Sequence, residues 1–334
     1  GSGGIVAQIG AESGVLDAAF GLGTGWSRID LSPLDGINDL ALRPDGRVVA
    51  VGYAEDDGLV ARLLAAEGTL DPSFGGGDGL ETPPFGGDDF LRGVALQPDG
   101  RIVAAGYSFP GNGRSEAPFA RLLENAGTFD TTFADGFGAF SEDFGSTDLQ
   151  VEDVALQADG RIVYAGGIQT GGSRNIIVGR LLTPSGDGDP SFGGGTGRTV
   201  IDLGAFDYAS QLVIQPDGRI VVAGATSVTP SGLRDDFAVA RLLADGTPDG
   251  SFAGDGSTTI DFGSSELGGG LVVQPDGKIV VVGGTYPGPA GKDDMAVARL
   301  LQNGSPDPAF GTAGRVRVDL GGAEDGLAIA LRPD

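Results

Sequence analysis

Six carboxylates recur at one place in this sequence: Asp35, Asp89, Asp148, Asp207, Glu266 and Glu324, each four residues beyond the end of a short run of the "STTIDF" kind. If they gather on one face, the like charges repel and raise one another's pKa unless a cation or an arginine intervenes. A hard cation such as Ca²⁺ takes several oxygen ligands and would suit such a ring, with Asp88, Asp153 and Asp325 close by in sequence. The alternative is that each acid caps its own loop. A second chemistry is available to the acids of "GSTDLQVEDVAL", where Glu152 and Asp153 follow Asp148. Paired carboxylates can cleave glycosidic bonds when their surroundings separate their pKa values. Aromatic and charged residues in the most variable segments, Tyr53, Tyr107, Phe109, Arg114, Arg174, Arg234, Tyr286 and Lys292, would suit a sugar or a peptide.

Composition removes other chemistries. The 334 residues include no Cys and no His, which excludes disulfides, thiol nucleophiles, imidazole bases and Cys/His zinc sites. A net charge of −25 repels nucleic acid and anionic membrane surfaces. No apolar run approaches the roughly 18 residues of a spanning helix, so membrane insertion is not expected. The segment "SGDGDPSFGGG" from Ser185 lacks the spacing and terminal Glu of an EF-hand. No cofactor other than a bound calcium is implied.

The elements that must position these residues repeat. The Asp of a "PDG" or "ADG" turn falls at Asp45, Asp99, Asp159, Asp217, Asp276 and Asp334, in steps of 54, 60, 58, 59 and 58 residues. In the copy from Ser210 to Phe262, turn residues bound four short strands: "QLVIQ", "RIVVAGA", "FAVARLL" and "STTIDF". Short Val/Ile runs between Gly and Pro fit strands buried on both faces. Four antiparallel strands per repeat of this length match a propeller blade. The expected fold is an all-β, six-bladed β-propeller of four-stranded antiparallel blades in one domain, residues 5–334, with residues 1–4 a linker or tag scar.

Two further positions recur. Arg62, Arg121, Arg180, Arg241 and Arg299 occupy one place in the third strand, where the first copy has Gln8. They are expected to pair with the Asp of "DxSF", seen as Asp17, Asp71, Asp130, Asp189, Asp249 and Asp307. The aromatic of that motif, Phe20, Phe74, Phe133, Phe192, Phe252 and Phe310, is expected to fill the gap between repeats.

The combination "QPDGRIVVAG", "FAVARLLADG" and "DPSFG" resembles the delta-60 repeat family of bacterial proteins over nearly the whole chain. The resemblance implies tandem arrays in large secreted or cell-surface proteins, and it names no activity. In a circular fold the two ends share one blade: "VAQIGAESGVLDAAFG" supplies its third strand, "WSRIDL" its fourth and "LAIALRPD" its first. That blade lacks its second strand. The chain is then a fragment, or a partner chain donates the strand, or "GIVAQIG" takes that place. The expected function is a non-enzymatic binding, adhesion or scaffold module that takes a protein or carbohydrate ligand on its channel face. The alternative is a carbohydrate-active hydrolase or lyase using the paired carboxylates.

Overall fold

The computed structural model describes residues 4–8, 15–29, 35–142, 145, 148–227, 235–286 and 293–331. The chain divides into two compact units, Gly1–Leu156 with Leu182–Asp187, and Gln157–Leu181 with Gly188–Asp334. In the first unit, β1 (Gly4–Ala7) pairs with β2 (Trp26–Ile29). Then β3 (Asp35–Leu42), β4 (Val48–Ala54), β5 (Asp57–Leu63) and β6 (Leu80–Glu81) form one sheet. β7 (Asp88–Leu96), β8 (Ile102–Phe109), β9 (Ala117–Leu122) and β10 (Ala139–Glu142) form the next, and β11 (Leu149–Leu156) packs on β7 and β8.

The second unit holds β12 (Ile162–Thr170), β13 (Ser173–Leu181) and β14 (Arg198–Ile201). Four strands follow in pairing order, β15 (Phe206–Ile214), β16 (Ile220–Ser227), β17 (Asp235–Leu242) and β18 (Ser257–Ile260), joined to β13 by a parallel pair of Arg174 with Phe206; then β19 (Ser265–Val273), β20 (Ile279–Tyr286), β21 (Asp294–Leu300) and β22 (Arg315–Val318) form a sheet of their own. Pairing within each four-stranded sheet is antiparallel in chain order. All eight residues of β16 are buried, which is why the second strands read as apolar runs without alternation.

At the turn between the first two strands, Gly218 has φ +85° and the Asp217 carboxylate accepts the Arg219 N–H at 3.1 Å. The glycine that closes each "VVAG" has a different cause. A Cβ on Gly52, Gly106 or Gly224 would lie 1.9 Å from a carbonyl oxygen of the first strand, and on Gly283 at 2.0 Å. The same strand carries a bulge there, between Ile37 and Asp39, Leu91 and Gly93, Ala209 and Gln211, and Gly268 and Gly270. The bulge pushes backbone toward the neighbour, and only glycine leaves room.

The expected arginine pairing is present in all five repeats. Arg62, Arg121, Arg180, Arg241 and Arg299 each place Nε 2.8 Å from Oδ2 of Asp71, Asp130, Asp189, Asp249 and Asp307. Each guanidinium also lies 4.6–4.8 Å over the ring of the motif's Phe. A second arginine, two residues past the turn Asp, meets the same carboxylate in four repeats: Arg47, Arg101, Arg161 and Arg219, at 2.7–3.0 Å. The rings reach forward. Phe20, Phe74, Phe192 and Phe252 lie where a Cβ on Gly68, Gly127, Gly246 and Gly304 would fall, so each fills the space beneath the following repeat. Buried aliphatic residues around Phe74 in the first unit and around Phe252 in the second complete the cores.

Two expectations need correction. The first strands begin earlier than the apolar pattern suggests: β15 starts at Phe206, five residues before "QLVIQ", because it continues through the bulge. The recurrent acids are therefore not loop residues in four repeats but the first or second residue of β3, β7, β15 and β19. At the other end, residues 323–331 carry no strand, where the sequence places the sixth first strand. Among the described residues this segment meets the sheet through the Glu324 N–H on the Asp293 carbonyl at 2.9 Å and the Gly326 N–H on the Gly283 carbonyl at 3.3 Å. Residues 332–334 lie outside the described residues.

Candidate functional site

Strand order gives each sheet two unlike edges. One edge holds the "PDG" turns, the arginine pairs and the motif Phe. The opposite edge holds the starts of the first and third strands and the ends of the second and fourth. The six recurrent carboxylates and the described parts of the variable segments fall on this second edge, whereas Glu152 and Asp153 stand partway along β11.

In the first unit that edge brings four aromatic rings together. Phe90, near the start of β7, lies 5.0 Å from Tyr53 at the end of β4, 5.2 Å from Tyr107 and 6.5 Å from Phe109 at the end of β8. Tyr107 and Phe109 meet edge to face at 5.6 Å. Phe109 is 41% exposed. Three of these residues were anticipated from sequence. Phe90 was missed, although an aromatic beside Asp89, where other repeats have Gly36 or Leu267, was the available signal.

The recurrent carboxylates are held by backbone N–H and hydroxyl groups, most of them from the preceding repeat or the connection that leaves it. Asp148 accepts from the Ser115 N–H at 3.0 Å and its hydroxyl at 3.2 Å. Asp207, fully buried, accepts from the Leu203 N–H at 2.7 Å and from the Thr226 hydroxyl. Glu324 accepts from the N–H groups of Leu320 at 3.2 Å and Gly322 at 2.7 Å. Asp35 is buried at the head of β3. Burial pushes the Asp89 carboxyl up, Ser108 and the Gly86 N–H offset this in part, and Asp57 and Asp88 push it further. Among the described residues, the acids within 4.8 Å of one another fall into sets of three, Asp236, Asp261 and Glu266, and Asp294, Asp319 and Glu324, each joining the end of one repeat to the start of the next. Each set adds to a recurrent acid two aspartates that the sequence reading did not single out.

The first strands of the first unit are cross-linked by polar side chains. Arg92 donates from Nε to Glu152 Oε2 at 2.9 Å and from Nη1 to Asn38 Oδ1 at 3.2 Å. Asn38 donates to the Leu91 carbonyl at 2.7 Å, and Asp39 accepts from the Val94 N–H at 2.9 Å. Burial raises Asp39 above the ordinary carboxylate range, and the Val94 and Leu40 N–H groups offset this only in part. Asp153 accepts from the Val154 N–H at 2.7 Å.

The remaining candidates each have their own setting. Arg114 is exposed, with its N–H on Asn112 Oδ1 at 3.0 Å. In the second unit, Arg174 sits 5.9 Å over the Phe206 ring. Tyr286 donates to Asp325 Oδ2 at 3.1 Å, and burial together with Asp325 and Asp293 pushes its hydroxyl up to about 12. Arg234 and Lys292 lie outside the described residues. A cleft of about 730 Å³ opens on the turn edge of the second unit between Gln215, Arg219, Arg241 and Gln302. No helix among the described residues is long and apolar enough to cross a membrane.

No curated protein matches the sequence. Among solved structures, the chain is similar to a protein from Lactobacillus plantarum, 15% identical with a TM-score of 0.46, over 91% of this chain and 80% of that one. It is also similar to virginiamycin B lyase from Staphylococcus aureus, 12% identical with a TM-score of 0.42, over 82% and 83%. A protein of unknown function from Dyadobacter fermentans is 13% identical with a TM-score of 0.41, over 84% and 81%. The family described as "Domain of unknown function (DUF5122) beta-propeller" matches residues 43–74, 97–133, 157–192, 215–252 and 274–310, together more than half of the chain. Each segment ends on the motif Phe or beside it and leaves out the recurrent carboxylates. The chain belongs to this tandem-repeat β-propeller family.

Proposed function

We propose that the chain is a non-enzymatic binding module of a secreted or cell-surface bacterial protein, a closed six-bladed propeller of the delta-60 kind that its repeats resemble. The ligand is a neutral carbohydrate held on Tyr53, Phe90, Tyr107 and Phe109. The observation that carries this reading is the ring cluster itself: four aromatics share the variable edge of two successive sheets, with Phe109 41% exposed. Ring faces take the C–H faces of sugars without needing charge, and an exposed aromatic patch marks an interaction site. The net charge of −25 disfavours acidic polysaccharides. Arg114, on the segment that follows Phe109, would add a contact to this ligand, and Arg174, Arg234 and Tyr286, on variable segments of the second unit, would make ligand contacts of their own there.

A glycan array followed by calorimetry on the bound oligosaccharide tests this reading. Phe109→Ala should weaken binding by about tenfold or more, as loss of one stacking ring does, with no change in melting temperature. Binding that is indifferent to Phe109→Ala, or confined to peptides, refutes it. A second reading, a hydrolase or lyase, is favoured by one observation: a raised carboxyl at Asp39 on the strand beside the Arg92–Glu152 pair. Release of reducing or unsaturated sugar ends that Asp39→Asn abolishes would select it.

A further inference from the structure

We propose that Asp236, Asp261 and Glu266 bind a hard divalent cation, calcium in preference to magnesium. The strand pairing builds the site. Phe237 pairs with Ile260, so Asp236 at the start of β17 faces Asp261 just past β18, and Glu266 is the second residue of β19. One carboxylate oxygen of each lies within 4.8 Å of the others. Two oxygens that each stand about 2.4 Å from one calcium ion are at most about 4.8 Å apart, so the spacing is that of a shared ion.

The second observation is on Glu266. Its side chain is fully enclosed. Oε1 accepts from the Ser264 N–H at 3.0 Å and the Ser264 hydroxyl at 2.8 Å, while the buried Oε2 meets no donor in bonding geometry. An enclosed carboxylate oxygen without a donor, beside two more acids, is costly unless a positive charge faces it. Burial pushes the Glu266 carboxyl up, Ser264 and the Phe262 N–H offset this in part, and Asp236 adds to the rise.

The same three positions recur 58 residues on as Asp294, Asp319 and Glu324, and there the protein supplies its own compensation. Both oxygens of Glu324 are taken by backbone N–H groups, and Arg317 Nη1 stands 3.9 Å from Asp294. The Arg317 guanidinium also donates to Ser264 Oγ at 2.9 Å, which turns the Ser264 proton toward Glu266 Oε1 and leaves Oε2 for the ion. Asp261 is exposed, so water completes the shell. An irregular carboxylate set open to water fits calcium, whereas magnesium demands near-ideal octahedral geometry and dehydrates reluctantly.

The test is calorimetric titration of chelator-stripped protein with calcium chloride and with magnesium chloride, read alongside thermal melting. Calcium should bind saturably and raise the melting temperature once its concentration exceeds the dissociation constant. Asp261→Asn should weaken calcium binding by about tenfold or more and leave the calcium-free melting temperature in place, because the side chain is exposed. Glu266→Gln should remove the calcium response while raising the calcium-free melting temperature, since it discharges the enclosed oxygen. Asp319→Asn should leave the titration unchanged. The proposal is overturned by absence of heat and of any melting shift at millimolar calcium, by a titration that Asp261→Asn leaves intact, or by one that Asp319→Asn removes instead.

Discussion

Replacing Arg241 by Ala tests whether the repeated arginine holds the fold. The side chain is buried and makes four contacts: Nε to Asp249 at 2.8 Å, Nη2 to the Ser251 hydroxyl at 3.1 Å, Nη1 to the Gln302 carbonyl, and the guanidinium 4.8 Å over the Phe252 ring. Removing one partner of a buried ion pair costs about 3–5 kcal/mol. Asp249 would still accept from the Ser251 N–H at 3.0 Å and meet Arg219 at 3.0 Å, which places the loss toward the lower end. Adding the orphaned Gln302 carbonyl gives about 3–4 kcal/mol. At about 2.1 cal/mol/K of unfolding entropy per residue, that lowers the melting temperature by about 5 °C if the whole chain unfolds together, and by about 10 °C if its second half melts alone. Scanning calorimetry of wild type and Arg241→Ala reads both the shift and the cooperativity. Arg299→Ala should cost less, because that side chain is 21% exposed. A fall of less than about 1 °C for Arg241→Ala would refute the structural role.

Melting against pH should peak on the acid side of neutrality, at about pH 5–6. Burial works against ionisation of Asp71, Asp130, Asp189 and Asp249, but Ser73, Thr132, Ser191 and Ser251 together with the arginines hold all four below the ordinary range, Asp249 at about 2. Their stabilisation is therefore present above about pH 4 and is lost as pH falls through the folded values. Asp39, Asp89 and Glu266 are raised, so each adds stability as pH drops into its range. A melting temperature that falls steadily from pH 8 to pH 5 would contradict this balance. Gly224→Ala should cost about 1–3 kcal/mol in urea unfolding, since the new methyl would meet the Tyr208 carbonyl at 1.9 Å; an unchanged midpoint would show that the bulge can relax.

The turns, the second and third strands and the arginine–aspartate pairs were legible because each repeat states them again in the same residues. The first strands were legible only from their apolar half. "FDYAS", residues 206–210, carries no alternation, and the bulge between Ala209 and Gln211 reverses the side-chain faces partway along β15. The acid set was illegible for a different reason. Asp236 lies far in sequence from Asp261 and Glu266, and only the pairing of β17 with β18 makes it their neighbour. Phe90 escaped because only one other repeat, at Tyr208, has an aromatic at that position, and it is the nearness of Tyr53, Tyr107 and Phe109 in space that makes Phe90 part of a cluster.

The arginine clamp reaches only one way along the chain. Arg62 donates to the carbonyls of Glu124 and Asn125, Arg180 to that of Ala244 and Arg241 to that of Gln302, each in the repeat that follows. The N–H groups of Gly75, Gly193 and Ala253 reach forward to the same turns, at Ala126, Asp245 and Asn303. On this turn edge a repeat gives its successor a ring to rest on, while it borrows from that successor the acceptors that close its own floor. Newly synthesised repeats would each wait for the next to emerge before their charged floor is complete. Loss of a repeat by recombination would leave its predecessor's clamp without acceptors, so damage to this charged floor travels toward the N-terminus.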